Sequence, residues 1–126
     1  MDRHICKAKR KDNGEWVYGY YVCVPNEYGH DIAHLIITQD CTYRGGGEFW
    51  YMDVYEVDPN TICSCTGLPD KNGTIIFEND CLGHKLNVVE YLNGDFCING
   101  DTPLSYMSKY YEVVGNRFDN TKLLDN

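Results

Sequence analysis

Four Asn-Gly pairs divide this chain into short apolar segments: Asn13-Gly14, Asn72-Gly73, Asn93-Gly94 and Asn99-Gly100. Both residues tolerate the positive φ angles of a type I′ turn, and that turn matches the twist of two antiparallel strands. The segments between the pairs are rich in Val, Ile, Thr and Tyr, which favour strands, whereas Ala is rare. The pattern predicts a mostly β protein.

The strongest strand prediction is residues 15–24, where apolar side chains alternate over the whole length. One face of this strand would carry Trp16, Tyr18, Tyr20, Val22 and Val24, and the other Val17, Gly19, Tyr21 and Cys23. Further strands are predicted at residues 34–38, 49–57, 61–66, 74–77, 86–91, 95–98 and 110–114, the last ending at Gly115-Asn116. Residues 41–48 are predicted to be a loop, and residues 119–124 one helical turn.

Four blocks consist mainly of turn residues and apolar residues: 57–62 (VDPNTI), 66–73 (TGLPDKNG), 76–80 (IFEND) and 112–120 (EVVGNRFDN). Their order and content resemble the YopX family of phage and prophage proteins, as does the segment of residues 12–20. The resemblance implies an SH3-like small barrel in residues 58–126, a β-rich extension in residues 1–57, and a phage or prophage origin. The family is one of unknown function, so the resemblance implies no catalytic residue. Asn79 stands where the family usually has Gly, and Asn tolerates the left-handed conformation.

Five residues in these blocks are predicted to have structural roles. Asp70, Asn72 and Gly73 have the composition of a tight turn, in which Asx side chains bond to nearby backbone groups. Gly67 and Gly115 are predicted at positions where φ is positive or where a side chain would clash.

The net charge of −8 is unevenly distributed along the chain. Residues 1–11 hold five basic residues and one acidic residue, whereas the remainder holds six basic and eighteen acidic residues. An acidic body repels phosphate backbones, which disfavours nonspecific nucleic-acid binding. We interpret the basic run, which is Lys7, Lys9, Arg10 and Lys11, as a solvated face, with a contact patch as the alternative.

The cysteines indicate a reducing compartment. They number seven, which is odd, and the start of the chain is charged rather than apolar. We therefore expect reduced thiols and the cytoplasm of a host cell. No apolar run approaches the ~20 residues of a membrane span, so no membrane association is expected.

A zinc site is the alternative use of some cysteines, with the ligands Cys63, Cys65, Cys81 and His84. Residues two apart on a strand share a face, so the first two could converge. The usual signature, however, is a pair of C-x2-C or C-x2-H knuckles, and thiols on a strand face are ordinary core residues. We predict no metal and no other cofactor.

Patterns for catalysis are absent from the sequence. Residues 44–47 lack the Lys-Ser/Thr of a phosphate-binding loop, and no Ser/His/Asp or Cys/His arrangement has support. No enzyme activity is predicted.

We expect instead a non-enzymatic binding module for a host or phage macromolecule, with an exposed aromatic surface of Trp16, Tyr18, Tyr20 and Tyr21. Core packing of the same residues is the competing interpretation. Two other function hypotheses are a small-ligand binder that sequesters a host defence signal, and a nucleic-acid binder that uses the basic N-terminus. Because a small barrel cannot cover both faces of residues 15–24, we also expect a homo-oligomer, with a dimer favoured.

Overall fold

The fold is mostly β, as predicted. The computed structural model describes residues 4–25, 28, 32–43, 50–83 and 87–120, and of residues 32, 39–43 and 50–52 only the backbone. The described residues contain twelve strands, one short α-helix and two 3-10 turns. The chain divides into two compact units between Ile62 and Cys63, which we call the N-terminal and the C-terminal unit. The domain boundary predicted at residues 57/58 stays a prediction.

The N-terminal unit contains four antiparallel strands in the order β4-β3-β2-β1, and a bridge between Arg10 and Val57 brings the end of β1 beside the end of β4. The strands are β1 (Cys6–Lys9), β2 (Trp16–Pro25), β3 (Ile32–Tyr43) and β4 (Trp50–Glu56). A tight turn with Gly14 at φ 74° joins β1 to β2. The strand predicted at residues 15–24 is therefore present and is shifted by one residue.

One face of this sheet carries the core of the N-terminal unit. Ala8, Ile36 and Val57 are fully buried there, with Val17 and Ile62 packed against them. A 3-10 turn at Pro59–Thr61 follows, and the Asp58 side chain caps it by accepting a hydrogen bond from the backbone N of Asn60.

The C-terminal unit contains shorter strands around one apolar cluster. The elements are β5 (Cys63–Pro69), β6 (Ile75–Phe77), β7 (Asp80–Leu82), β8 (Asn87–Val88), β9 (Glu90–Leu92), β10 (Asp95–Ile98), β11 (Thr102–Pro103), α1 (Leu104–Met107), a 3-10 turn (Ser108–Tyr110) and β12 (Val113–Asn116). β6 pairs with β5, and two three-stranded sheets have the orders β11-β10-β9 and β12-β7-β8. Ile76, Leu82, Val89, Ile98 and Leu104 form the buried cluster. In the described part of the chain these sheets are antiparallel and open.

The turn after β5 is organised by the buried Asp70 side chain. Its Oδ1 atom accepts hydrogen bonds from the backbone N atoms of Asn72 (2.8 Å) and Thr74 (2.9 Å). The Asn72 amide donates to Glu112 at 3.0 Å, which connects the turn to the segment before β12. Gly73 has φ 86° in this turn, a conformation that suits glycine.

The other two glycines predicted to have structural roles, Gly67 and Gly115, differ from Gly73 and from each other. Gly67 has φ 78° inside β5, where the register of the β5–β6 pair shifts between Cys65 and Pro69. Gly115 is in contact with the side chain of Asn120, which a Cβ atom at residue 115 would overlap.

Three sequence predictions of local structure were wrong. Residues 41–43 belong to β3 and not to a loop, because they pair with β4. The last strand begins at Val113 rather than at residue 110 and does not end before Gly115, which pairs with Cys81 across a bulge. Helix α1 was not predicted. Residues 121–124, in the predicted C-terminal helical turn, and residues 44–48 lie outside the described residues.

Candidate functional site

Side chains on a sheet alternate between its two faces, and directly opposite residues share a face. The β1–β2 register pairs Lys7 with Tyr18 and Lys9 with Trp16, and the β2–β3 register pairs Tyr20 with Ile37. These residues therefore lie on the face opposite to the core. We call this surface the tyrosine face; it comprises Lys7, Lys9, Trp16, Tyr18, Tyr20, Val22, Val24, Leu35, Ile37, Val54 and Glu56.

The centre of the tyrosine face is apolar and open to solvent. Tyr18 is 45% exposed, Tyr20 40%, Val24 41% and Val54 49%. Val22, Leu35 and Ile37 between them are half-buried. A contiguous apolar patch of this kind is uncommon on a monomer and is typical of an interaction surface.

Tyr21 lies on the opposite face, although it is the neighbour of Tyr20. Its hydroxyl is joined to His34 Nδ1 by a hydrogen bond of 2.6 Å, and the two rings stack at 5.9 Å and 8°. Partial burial raises the pKa of the Tyr21 hydroxyl, and the neighbouring Cys23 thiol adds to that shift. The four aromatic residues predicted as one surface are thus separated, with three on the tyrosine face and Tyr21 behind it.

The basic run is also separated by the alternation of β1. The ammonium groups of Lys7 and Lys9 lie over the Trp16 ring, 4.8 and 5.5 Å from its centroid. Arg10 lies on the core side of the sheet, with its guanidinium 4.3 Å from the Tyr55 ring centroid. Lys7 is only 6% exposed, so the interpretation of this run as a solvated face was wrong for that residue.

Carboxylates neutralise the remaining basic side chains. Arg10 forms a 2.6 Å ion pair with Asp12, and Lys11 a 3.1 Å ion pair with Glu56. The hydrogen bond to Arg10 holds the pKa of Asp12 below its ordinary value. A phosphate would have to displace these carboxylates, which disfavours a nucleic-acid contact here.

An open cleft of about 390 Å3 lies beside these ion pairs. Its lining includes Arg10, Lys11, Asp12 and Glu56, whose formal charges sum to zero. Val54 and Tyr55 supply its apolar wall. The cleft therefore has no electrostatic preference for a charged small ligand.

Two of the four candidate zinc ligands have hydrogen-bond partners, and one lies outside the described residues. Cys63 Sγ accepts a hydrogen bond from the Asn79 amide at 3.6 Å, and Cys65 Sγ accepts one from the backbone N of Gly67 at 3.4 Å. Burial, with the nearby Asp80 carboxylate, raises the pKa of the Cys81 thiol. His84 is not among the described residues. Within the described ranges, no three His, Cys, Asp or Glu side chains form a group that could hold a metal ion.

Part of the tyrosine face was not predicted from the sequence. Leu35, Ile37 and Val54 extend its apolar surface across β3 and β4. The strand predicted at residues 34–38 was the available signal, but only the strand register shows that Leu35 and Ile37 share a face with Tyr20.

Comparison with known protein families supports the resemblance. A sequence profile of the family described as YopX protein matches residues 7–125. No curated protein matches the chain. Among the helices of the described residues, none is long and apolar enough to span a membrane.

Proposed function

The chain belongs to the YopX family, and from that premise we propose a phage or prophage accessory protein that acts by binding, without catalysis, and that pairs with a second copy of itself through its tyrosine face. The exposure of Tyr18, Tyr20, Val24 and Val54 on one side of a single sheet carries this proposal. Tyr and Trp are enriched at the energetic centres of protein interfaces because they bury large areas and still offer a polar atom.

The occupant that we propose for this face is a second copy of the chain. β2 has ten residues, so the face is about 33 Å long, and four strands span about 15 Å. Stacking two such faces buries roughly 1,000 Å2 in total, which is at the lower end of specific interfaces. We therefore expect a homodimer that dissociates at micromolar concentrations.

Closed two-fold pairing is the commonest form of homo-oligomer, which favours a dimer over larger assemblies.

The two alternative functions have less support. Nucleic-acid binding through the basic run competes with the ion pairs of Arg10 and Lys11. A small-ligand binder requires an enclosed pocket with convergent polar groups. The cleft beside Val54 is open instead and electrically balanced.

We also propose that the C-terminal unit is a small barrel of the SH3-like class. The support is the set of short antiparallel strands around the cluster of Ile76, Leu82, Val89, Ile98 and Leu104. The odd number of cysteines supports the cytoplasm of a bacterial host as the location.

Sedimentation velocity over a concentration series tests the proposed self-association. Between about 1 and 100 µM the weight-average mass should rise from one chain towards two, because interfaces at the lower end of the size range are typically weak and transient. Glu15→Gln, an exposed change outside the tyrosine face, serves as a control and should leave the curve unchanged. A mass of one chain at every concentration would reject the dimer.

A further inference from the structure

A second surface with recognition chemistry lies in the C-terminal unit. An open groove of about 420 Å3 separates strand β5 from the β9–β10 hairpin. We call it the hairpin groove; Ser64, Thr66 and Leu68 line one side, and Tyr91, Asp95 and Phe96 line the other. None of these residues belongs to the tyrosine face, so the groove is independent of the proposed self-association.

An aromatic pair forms one wall of the hairpin groove. Tyr91 and Phe96 are directly opposite in the β9–β10 register, and their rings meet edge to face at 5.0 Å and 62°. Phe96 and Leu68 are half-buried and pack against the core cluster, which fixes the floor of the groove. Tyr91 remains 54% exposed, so the ring is available to a ligand.

The charged group in this groove is the carboxylate of the exposed residue Asp95. Its Oδ1 atom accepts a hydrogen bond from the backbone N of Phe96 at 2.8 Å, which orients the carboxylate beside the aromatic wall. Residues 63–126 hold five basic and nine acidic residues, a net charge of −4, so the surrounding field also attracts cations.

We propose that the hairpin groove binds a short basic segment of a partner polypeptide, with a Lys or Arg side chain on the Tyr91 ring beside Asp95. The face of a tyrosine ring attracts a cation through its quadrupole, and guanidinium groups combine this contact with planar stacking. The carboxylate supplies a charge-assisted hydrogen bond to the same cation. The apolar stem of the side chain covers Leu68 and Phe96, as long basic side chains do on apolar surfaces.

An anionic ligand does not fit the same surface. The carboxylate of Asp95 repels phosphates and acidic peptides. The described lining contains no basic side chain to offset that repulsion. The chemistry of the groove thus selects a cationic partner.

The test is a titration of the full chain with a fluorescein-labelled peptide of alternating Arg and Leu, followed by fluorescence anisotropy. The matched probe has citrulline, which keeps the shape of Arg without its charge, at every Arg position. We expect the Arg peptide to bind at least about tenfold more tightly than the citrulline peptide.

Two pairs of variants locate the binding site. Tyr91→Ala and Asp95→Asn should each weaken binding of the Arg peptide by about three- to tenfold. Tyr106→Ala, at a tyrosine that is 68% exposed outside the groove, and Glu15→Gln should change it by less than about twofold. Circular dichroism of all four variants checks that they are folded.

Three results would overturn the proposal: equal affinity for the Arg and citrulline peptides, equal losses in the groove and control variants, or no binding of the Arg peptide by the folded wild type. Amide shifts in an NMR titration provide a second readout that needs no variant. They should be largest at Leu68, Tyr91 and Phe96, and shifts confined to other residues would contradict the site.

Discussion

The Oδ2 atom of Asp70 accepts a hydrogen bond from the backbone N of Val113 at 2.8 Å, across 43 residues of sequence. The other carboxylate oxygen accepts from the backbone of its own turn. One buried side chain thus connects the turn after β5 to the last strand. The C-terminal unit should be sensitive to any change at this residue.

Asp70→Asn should lower the free energy of unfolding by about 2 kcal/mol. The amide has one acceptor oxygen where the carboxylate has two, so an NH2 group would face a backbone donor, and a charge-assisted bond is lost. Urea unfolding measures the difference. Asp101→Asn, in an exposed loop, is the control and should change stability by less than about 0.5 kcal/mol. Equal stability of the Asp70 variant and the wild type would contradict this role.

The Asp70 carboxylate should also make the free energy of unfolding depend on pH in the acid range. Burial opposes ionisation of Asp70, but hydrogen bonds from the backbone of Val113, Thr74, Asn72 and Gly73 outweigh it and hold its pKa below the ordinary value. A lowered folded-state pKa stabilises the fold above the unfolded pKa of about 3.9, and this stabilisation is lost as pH falls through the folded value. The difference in unfolding free energy between wild type and Asp70→Asn should therefore shrink below about pH 4. A difference that stays constant from neutral pH to about pH 3 would refute the linkage.

Replacing Asn79 by Gly should destabilise the protein less than replacing it by Ala. It has φ 71°, in the left-handed region where a side chain with a Cβ atom is strained and Asn is the usual exception. Asn79→Ala should lower the unfolding free energy by about 1 kcal/mol, and Asn79→Gly by less than about 0.5 kcal/mol. Thermal melts of the two variants distinguish these values, and the reverse order would contradict the assignment.

The sequence predicted local structure best where a turn has its own chemistry. Asn93 and Gly94 have φ 53° and 85° and join β9 to β10, as their residue types indicate. Helix α1 was missed because it has only four residues and Pro103 at its N-cap, with no side-chain cap to indicate it. Packing of Leu104 into the core cluster holds it, and packing between distant residues leaves no local pattern.

The sequence predicts which side chains share a face within one strand, but it does not predict which strands combine into one surface. Alternation in β2 correctly separates Tyr20 from Tyr21, but the prediction grouped both into one surface. The hairpin groove was not predicted, because Leu68 and Tyr91 meet only through the arrangement of β5 and the β9–β10 hairpin. Register and bulges determine such groupings, and a single sequence does not specify them.

All seven cysteines should be reduced in freshly prepared protein. Alkylation under denaturing conditions, followed by mass spectrometry, should modify all seven, and a stable intrachain disulfide would contradict the cytoplasmic location.

In the native protein Cys23 is exposed, whereas Cys63, Cys65, Cys81 and Cys97 are buried. Cys23→Ser should therefore remove one thiol from the fast-reacting fraction and leave the slow fraction unchanged.

Two neighbouring tyrosines on β2 test the proposal that the tyrosine face joins two copies of the chain. Tyr20 and Tyr21 are neighbours on β2 with similar exposure, 40% and 37%, and they lie on opposite faces. A carboxylate placed in an apolar interface costs several kcal/mol, so Tyr20→Glu should abolish pairing. Tyr21→Glu adds the same charge to the same strand on the opposite face and should leave the dimer intact.

Light scattering coupled to size exclusion measures the mass of each folded protein at about 50 µM, a concentration that favours weak and transient pairs. We expect a mass approaching two chains for the wild type and Tyr21→Glu, and a mass of one chain, 14.5 kDa, for Tyr20→Glu. A monomeric wild type, or a dimer that survives Tyr20→Glu, would contradict this expectation.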